Sequence, residues 1–150
     1  MTFNEFLVQA KINTYARNGE GSETSLEDGS RELSYVAAPF KYRDRYFGSR
    51  SFSGQEVVWQ DNKAIWSMNY YGGIIDQALE AAAVYSILKE ALKKVDSSRP
   101  FRGPGKYQVG EWLYQDNSQG NPDYFSGTEE IYFQNRKVYE LQYQGGLIIK

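Results

Sequence analysis

Gly54 to Ile75 reads GQEVVWQDNKAIWSMNYYGGII, and Gly127 to Ile148 reads GTEEIYFQNRKVYELQYQGGLI. The two stretches align without a gap over 22 positions at an offset of 73 residues. Identical pairs are Gly54/Gly127, Glu56/Glu129, Asn62/Asn135, Tyr70/Tyr143, Gly72/Gly145, Gly73/Gly146 and Ile75/Ile148. Most of the remaining positions are conservative, such as Val58/Ile131, Trp66/Tyr139 and Met68/Leu141. Self-similarity at a fixed offset changes the reading of a whole fold. It makes this chain two copies of one unit, each a helix followed by a three-strand antiparallel meander, spanning about 3–75 and 76–148 within one domain of 1–150.

The match extends outward. Phe52-Ser53-Gly54 corresponds to Phe125-Ser126-Gly127. After a one-residue gap, Tyr42-Arg43-Asp44 aligns with Tyr114-Gln115-Asp116, and Gly48 with Gly120. Around these segments, alternation predicts strands at Leu33 to Val36, Phe40 to Gly48, Gln55 to Gln60 and Ala64 to Tyr71. It predicts further strands at Glu111 to Gln115, Glu129 to Phe133 and Lys137 to Gln144. Helical spacing predicts helices over Phe3 to Ala16 and Asp76 to Val95. Thr2 and Glu5 form a capping box on the first, and Asp76 is the N-cap of the second. Arg17 to Ser30 and Asp96 to Lys106 read as loops. The resulting class is α+β: a curved antiparallel sheet with helices packed against it.

The repeat constrains register. Positions 58/131, 66/139, 68/141 and 70/143 are apolar in both copies and are assigned to one face. Val58 and Trp66 face each other only if the turn has an odd residue count. A three-residue loop, Asp61-Asn62-Lys63 and Gln134-Asn135-Arg136, satisfies this, with Asn62 and Asn135 at the left-handed position.

Composition bounds the chemistry. The 150 residues include no Cys and no His, which excludes thiolate metal sites, disulfides and imidazole bases. No metal site and no cofactor is expected. The net charge of −2 argues against direct nucleic-acid binding by the domain as a whole. No apolar run is long enough to span a membrane, and no export signal is read at the start, so a cytoplasmic setting is expected. Glu56 and Glu129 fall on the apolar face, where burial raises a carboxylate's pKa and suits it to acid–base work. The alternative is a Glu that hydrogen-bonds a Tyr hydroxyl. The Gly-Gly pairs end equivalent strands and read as a strand exit or as close backbone approach. Lys41, Arg43, Arg45 and Phe47 share one face of their strand. The second copy carries Gln115 and Asn117 in place of the two arginines.

The strings Tyr42-Arg43-Asp44-Arg45-Tyr46-Phe47-Gly48, Trp66-Ser67-Met68-Asn69-Tyr70-Tyr71-Gly72, Pro100-Phe101-Arg102-Gly103-Pro104, Phe125-Ser126-Gly127 and Tyr143-Gln144-Gly145-Gly146-Leu147-Ile148 carry a resemblance. Together they resemble the domain-of-unknown-function 5680 family. That family occurs alone or behind a helix-turn-helix domain of transcriptional regulators. The resemblance implies a sensing or interaction module and supplies no catalytic residue.

The expectation is a non-enzymatic module that binds a small molecule or a protein partner, with a link to transcriptional regulation. No catalytic residue is assigned. The expected ligand-binding residues are Glu56, Trp66, Tyr70, Glu129, Tyr139 and Tyr143, with Arg43 or Arg102 at the rim. One rival is a hydrolase or isomerase using the paired glutamates with Tyr70 and Tyr143. The other is a structural protein whose exposed tyrosines form a homodimer surface, so monomer and homodimer both stay open.

Overall fold

A computed structural model describes residues 1–14 and 23–150. The expected helical residues Tyr15 and Ala16, and the loop residues 17–22, lie outside that range. In chain order the elements are α1 (Phe3–Asn13), β1 (Thr24–Ser25), β2 (Arg31–Ala37), β3 (Phe40–Gly48), β4 (Ser51–Gln60) and β5 (Lys63–Ile74). They continue with α2 (Ala81–Leu92), β6 (Lys106–Val109), β7 (Trp112–Asn121), β8 (Tyr124–Phe133) and β9 (Arg136–Leu147).

The nine strands form one curved sheet in the order β1-β2-β3-β4-β5-β9-β8-β7-β6. Every neighbouring pair is antiparallel, so the fold is α+β. Among the described residues five strands follow α1 and four follow α2, which corrects the expected three per helix. The short β1 falls inside a segment read as loop, and β6 follows the Pro/Gly-rich loop. Both are edge strands with little apolar alternation to mark them.

Alternation explains the strand interiors. Phe40, Tyr42 and Asp44 are buried while Lys41 is exposed along β3. Val58, Trp66, Met68, Ile131, Tyr139 and Leu141 are all fully buried on one face. Val58 does pair with Trp66, and Ile131 with Tyr139. The device differs from the expected three-residue loop. Gln60 pairs with Lys63, and Phe133 with Arg136, so each turn has two residues. All four turn residues are left-handed: Asp61 (φ 50°), Asn62 (65°), Gln134 (51°) and Asn135 (63°). That is the twist-matched hairpin turn. The extra residue enters as a bulge on the second strand of each hairpin, Ile65 opposite the Val58–Trp59 step and Val138 opposite the Ile131–Tyr132 step. A bulge plus an even turn has the same parity as an odd turn.

The Gly-Gly pairs lie within β5 and β9 rather than at their exits. Gly72 pairs with Leu141, and Gly145 with Met68. A methyl group on Gly72 would overlap the backbone of Glu140 and Leu141, and one on Gly145 would overlap Ser67. Glycine there lets the two central strands approach closely.

Both helices cover the same face of the sheet. Phe6, Leu7 and Ala10 of α1 and Val84, Leu88, Ala91 and Leu92 of α2 join the core with Trp66, Met68 and Leu141. The Thr2–Glu5 capping box is present, with Glu5 N donating to Thr2 Oγ1 and Thr2 N to Glu5 Oε2. The second helix begins later than expected. Glu80, not Asp76, is its N-cap, without a side-chain hydrogen bond. Asp76 instead accepts from Ala78 N at 3.0 Å and pairs with Arg136 at 2.6 Å, which holds Asp76 to Leu79 as a turn. Among the described residues, no helix is long and apolar enough to cross a membrane.

Candidate functional site

Between the helices and the sheet lies a buried layer of charge. Register places Asp44 directly opposite Glu56 on β3 and β4, and Asp116 opposite Glu129 on β7 and β8. All four carboxylates are buried. Like charges facing each other across strands repel, so the layer needs cations and hydrogen-bond donors. Lys11 of α1 reaches Glu56 Oε1 at 2.8 Å and donates to the Phe101 carbonyl at 2.5 Å. Arg102, after α2, grips Glu129 with two bonds, Nε to Oε2 at 3.1 Å and Nη2 to Oε1 at 2.9 Å. Tyr114 and Tyr139 donate to the same carboxylate at 2.6 and 2.7 Å. Tyr70 donates to Asp44 at 2.5 Å, and Tyr143 to Asp116 at 2.8 Å.

Titration follows from this burial. Burial first, then the neighbouring Glu56, pushes the Asp44 carboxyl up to about 7, against the opposing pull of Tyr70, Arg102 and Lys11. Burial and Glu129 do the same to Asp116, also to about 7. Burial lowers the Lys11 ammonium from its ordinary value despite Glu56. The hydroxyls of Tyr70, Tyr114 and Tyr139 are raised well above 10, chiefly by burial and then by the adjacent acids. The tyrosines therefore act as neutral donors. Burial thus brings the Asp44 and Asp116 carboxyls toward neutrality.

A cleft of about 310 Å³ opens onto this layer. Asp44, Tyr70 and Arg102 form its floor; Leu33, Phe52, Tyr85, Leu88 and Leu92 form its walls. The Phe52 ring meets Tyr70 edge-on at 5.9 Å and Tyr85 at 6.2 Å. Arg102 stacks over Tyr70 at 5.7 Å. Glu23, Arg31, Tyr46 and Lys89 border the opening. Aromatic and aliphatic walls with a few converging polar groups are what a small-molecule site needs.

Of the expected site residues, Tyr70 and Arg102 line this cleft. Glu56, Glu129, Trp66 and Tyr139 are fully buried beneath it and line neither this cleft nor the trough on the sheet's other face. Trp66 stacks on Phe125 at 5.7 Å and donates to the Pro122 carbonyl. Tyr143 and Arg43 border the trough. Sequence reasoning missed Asp44, Phe52, Tyr85 and Lys11 as site residues. Lys11 has a readable signal: it sits four residues after Leu7 on the buried stripe of α1. Asp44 had one too, since Asp116 repeats it. Phe52 and Tyr85 come together only through helix docking.

A family model described as Domain of unknown function (DUF5680) matches residues 44–148. No curated protein matches, and no solved structure matches. The matched range includes Asp44, Tyr70, Tyr85 and Arg102, and it excludes α1 with Lys11.

Proposed function

The chain belongs to the DUF5680 family, and from that premise we propose that it is a non-enzymatic module that binds a small organic molecule in the cleft between its helices and sheet. The observation that carries the reading is the cleft floor. A buried carboxylate, Asp44, sits near its protonation midpoint beneath a wall of aromatic rings. Ionised Asp44 would accept a hydrogen bond from a ligand hydroxyl or amine, and the rings would hold its apolar part. A volume of about 310 Å³ suits a compact metabolite. The C-cap of α1, Thr14, and Leu88 of α2 border the cleft, so occupancy would be felt at both helices, as the sensing and regulatory expectation requires.

The paired-glutamate reading finds no comparable support. Glu129 already accepts from Arg102, Tyr114 and Tyr139, which leaves no position for a substrate proton. Glu56 is held by Lys11.

We also infer that the chain is a duplicated unit. In support, β4 and β8, β5 and β9, both bulges and all four left-handed turn residues stand at an offset of 73. Tyr70 pairs with its equivalent, Tyr143, at the central seam. A twofold relation between the halves would place that pair on its axis.

The binding reading is tested by a metabolite screen read as thermal shift, on the wild type and on Leu88→Trp, which fills the cleft. Compounds that stabilise the wild type and not the variant support it. If no compound class stabilises the wild type, or if stabilisation survives in the variant, the reading fails.

A further inference from the structure

Among the described residues nothing covers the face of the sheet turned away from the helices, which curves into an open trough of about 1170 Å³. Register organises its side chains. Arg45, Gln55, Asn69, Gln144, Ser126 and Gln119 form one row, each paired with the next across β3, β4, β5, β9, β8 and β7. Beside it runs a second row: Phe47, Ser53, Tyr71, Gln142, Thr128 and Asn117. Six strands at roughly 4.8 Å spacing make these rows about 24 Å long.

The chemistry of the rows is selective. Apart from Arg45, Phe47 and Tyr71, the side chains of the two rows are amides and hydroxyls, each both donor and acceptor. Gln55 donates to Asn69 at 2.9 Å, so the amides are already aligned across strands. Among the described residues that line the trough, none is acidic, although the whole chain carries a net charge of −2. Arg45 is paired with Glu32 at 2.7 Å. Arg43 stacks on Trp59 at 5.0 Å and has no carboxylate partner among the described residues. Tyr71 is 65% exposed and Phe47 is 47% exposed, leaving ring faces open beside the amides.

We propose that this trough is a second binding site, distinct from the cleft, for a linear acidic oligosaccharide that lies across the strands. The strand spacing is of the order of one pyranose unit, so successive sugars meet successive rungs. Amides and hydroxyls exchange hydrogen bonds with sugar hydroxyls, Tyr71 stacks on a ring face, and Arg43 takes a uronate carboxylate in its planar fork. Single-stranded nucleic acid is the disfavoured occupant, because phosphate tracking needs a basic groove along the chain and here the cations sit only at the β3 end.

Isothermal titration calorimetry on the full chain tests this with four probes: a hexamer and a dimer of 1,4-linked galacturonic acid, the neutral cellohexaose, and a hexathymidylate. The hexauronate is expected to bind roughly tenfold tighter than each of the others. Arg43→Gln and Tyr71→Gln borrow the residues at the equivalent positions, Gln115 and Gln144, so both variants keep the wild-type unfolding midpoint. Arg43→Gln weakens hexauronate binding by roughly tenfold and Tyr71→Gln by roughly threefold or more. The proposal is overturned if the hexauronate fails to bind or binds no tighter than the dimer. Equal or tighter binding of cellohexaose or hexathymidylate, or wild-type affinity in both variants, overturns it as well.

Discussion

Replacing Arg102 by methionine keeps most of the side chain's volume and removes its charge. The Arg102 side chain is 5% exposed and Glu129 is 0% exposed, so solvent cannot screen the carboxylate left behind. Breaking a buried pair by removing one partner costs about 3–5 kcal/mol. Tyr114 and Tyr139 still donate to Glu129, which places Arg102→Met near the lower end, about 3 kcal/mol. For a chain of this size that lowers the unfolding midpoint by about 6–12 °C. Adding Glu129→Gln removes the orphaned charge and keeps an acceptor for the tyrosines. The double variant should therefore recover about half of the loss, a coupling well above the ordinary error of additivity. Urea denaturation followed by circular dichroism measures both. A loss below about 1 kcal/mol for Arg102→Met, or a double variant no more stable than the single one, would refute the charge-layer account.

Further perturbations follow from the same layer. Asp44 sits at about 7 when folded and at about 3.9 unfolded, so the folded chain holds the extra proton between those values. Its contribution to stability therefore grows as pH falls through that window, by up to about 1.4 kcal/mol per pH unit. Asp44→Asn should remove this component, and urea midpoints at about pH 5 and 7 with identical wild-type and variant slopes would contradict it. A methyl group on Gly54 would overlap the Tyr70 ring, and one on Gly127 the Tyr143 ring. Gly54→Ala and Gly127→Ala should each cost about 1–3 kcal/mol in chemical denaturation. Asn62→Val and Asn135→Val force a β-branched residue into φ near 65° and 63° and should cost about 1–2 kcal/mol each; unchanged midpoints would remove the left-handed turn from the argument.

Much of the architecture was readable because period-2 alternation is strong in this chain. The strand read over Phe40 to Gly48 coincides with β3, and the shared face of Val58 and Trp66 follows from their being apolar in both copies, as Ile131 and Tyr139 are. Parity could not separate a three-residue loop from a bulge plus a two-residue turn, since both put the same side chains inside. Ala78 and Leu79 continue the apolar spacing of α2 and draw its expected start back to Asp76, whereas Asp76 is consumed by its own turn and by Arg136. The buried glutamates are readable from facing, and so is the inward position of Lys11 on α1, but which cation meets which glutamate is not. Lys11 and Arg102 reach Glu56 and Glu129 from 45 and 27 residues away in sequence, and no local pattern encodes such distances. The cleft itself depends on how α2 lies against Phe52 and Tyr70, which is a property of docking.

The central claim is that the cleft above Asp44 is where a small molecule binds. Amide and methyl chemical-shift mapping with the strongest hit of the metabolite screen tests it most directly. The account predicts that the perturbed signals cluster at Phe52, Tyr85, Leu88 and Leu92, and that affinity changes as Asp44 titrates near pH 7. Shifts confined to other surfaces, with an affinity insensitive to pH across that range and to Asp44→Asn, would contradict it.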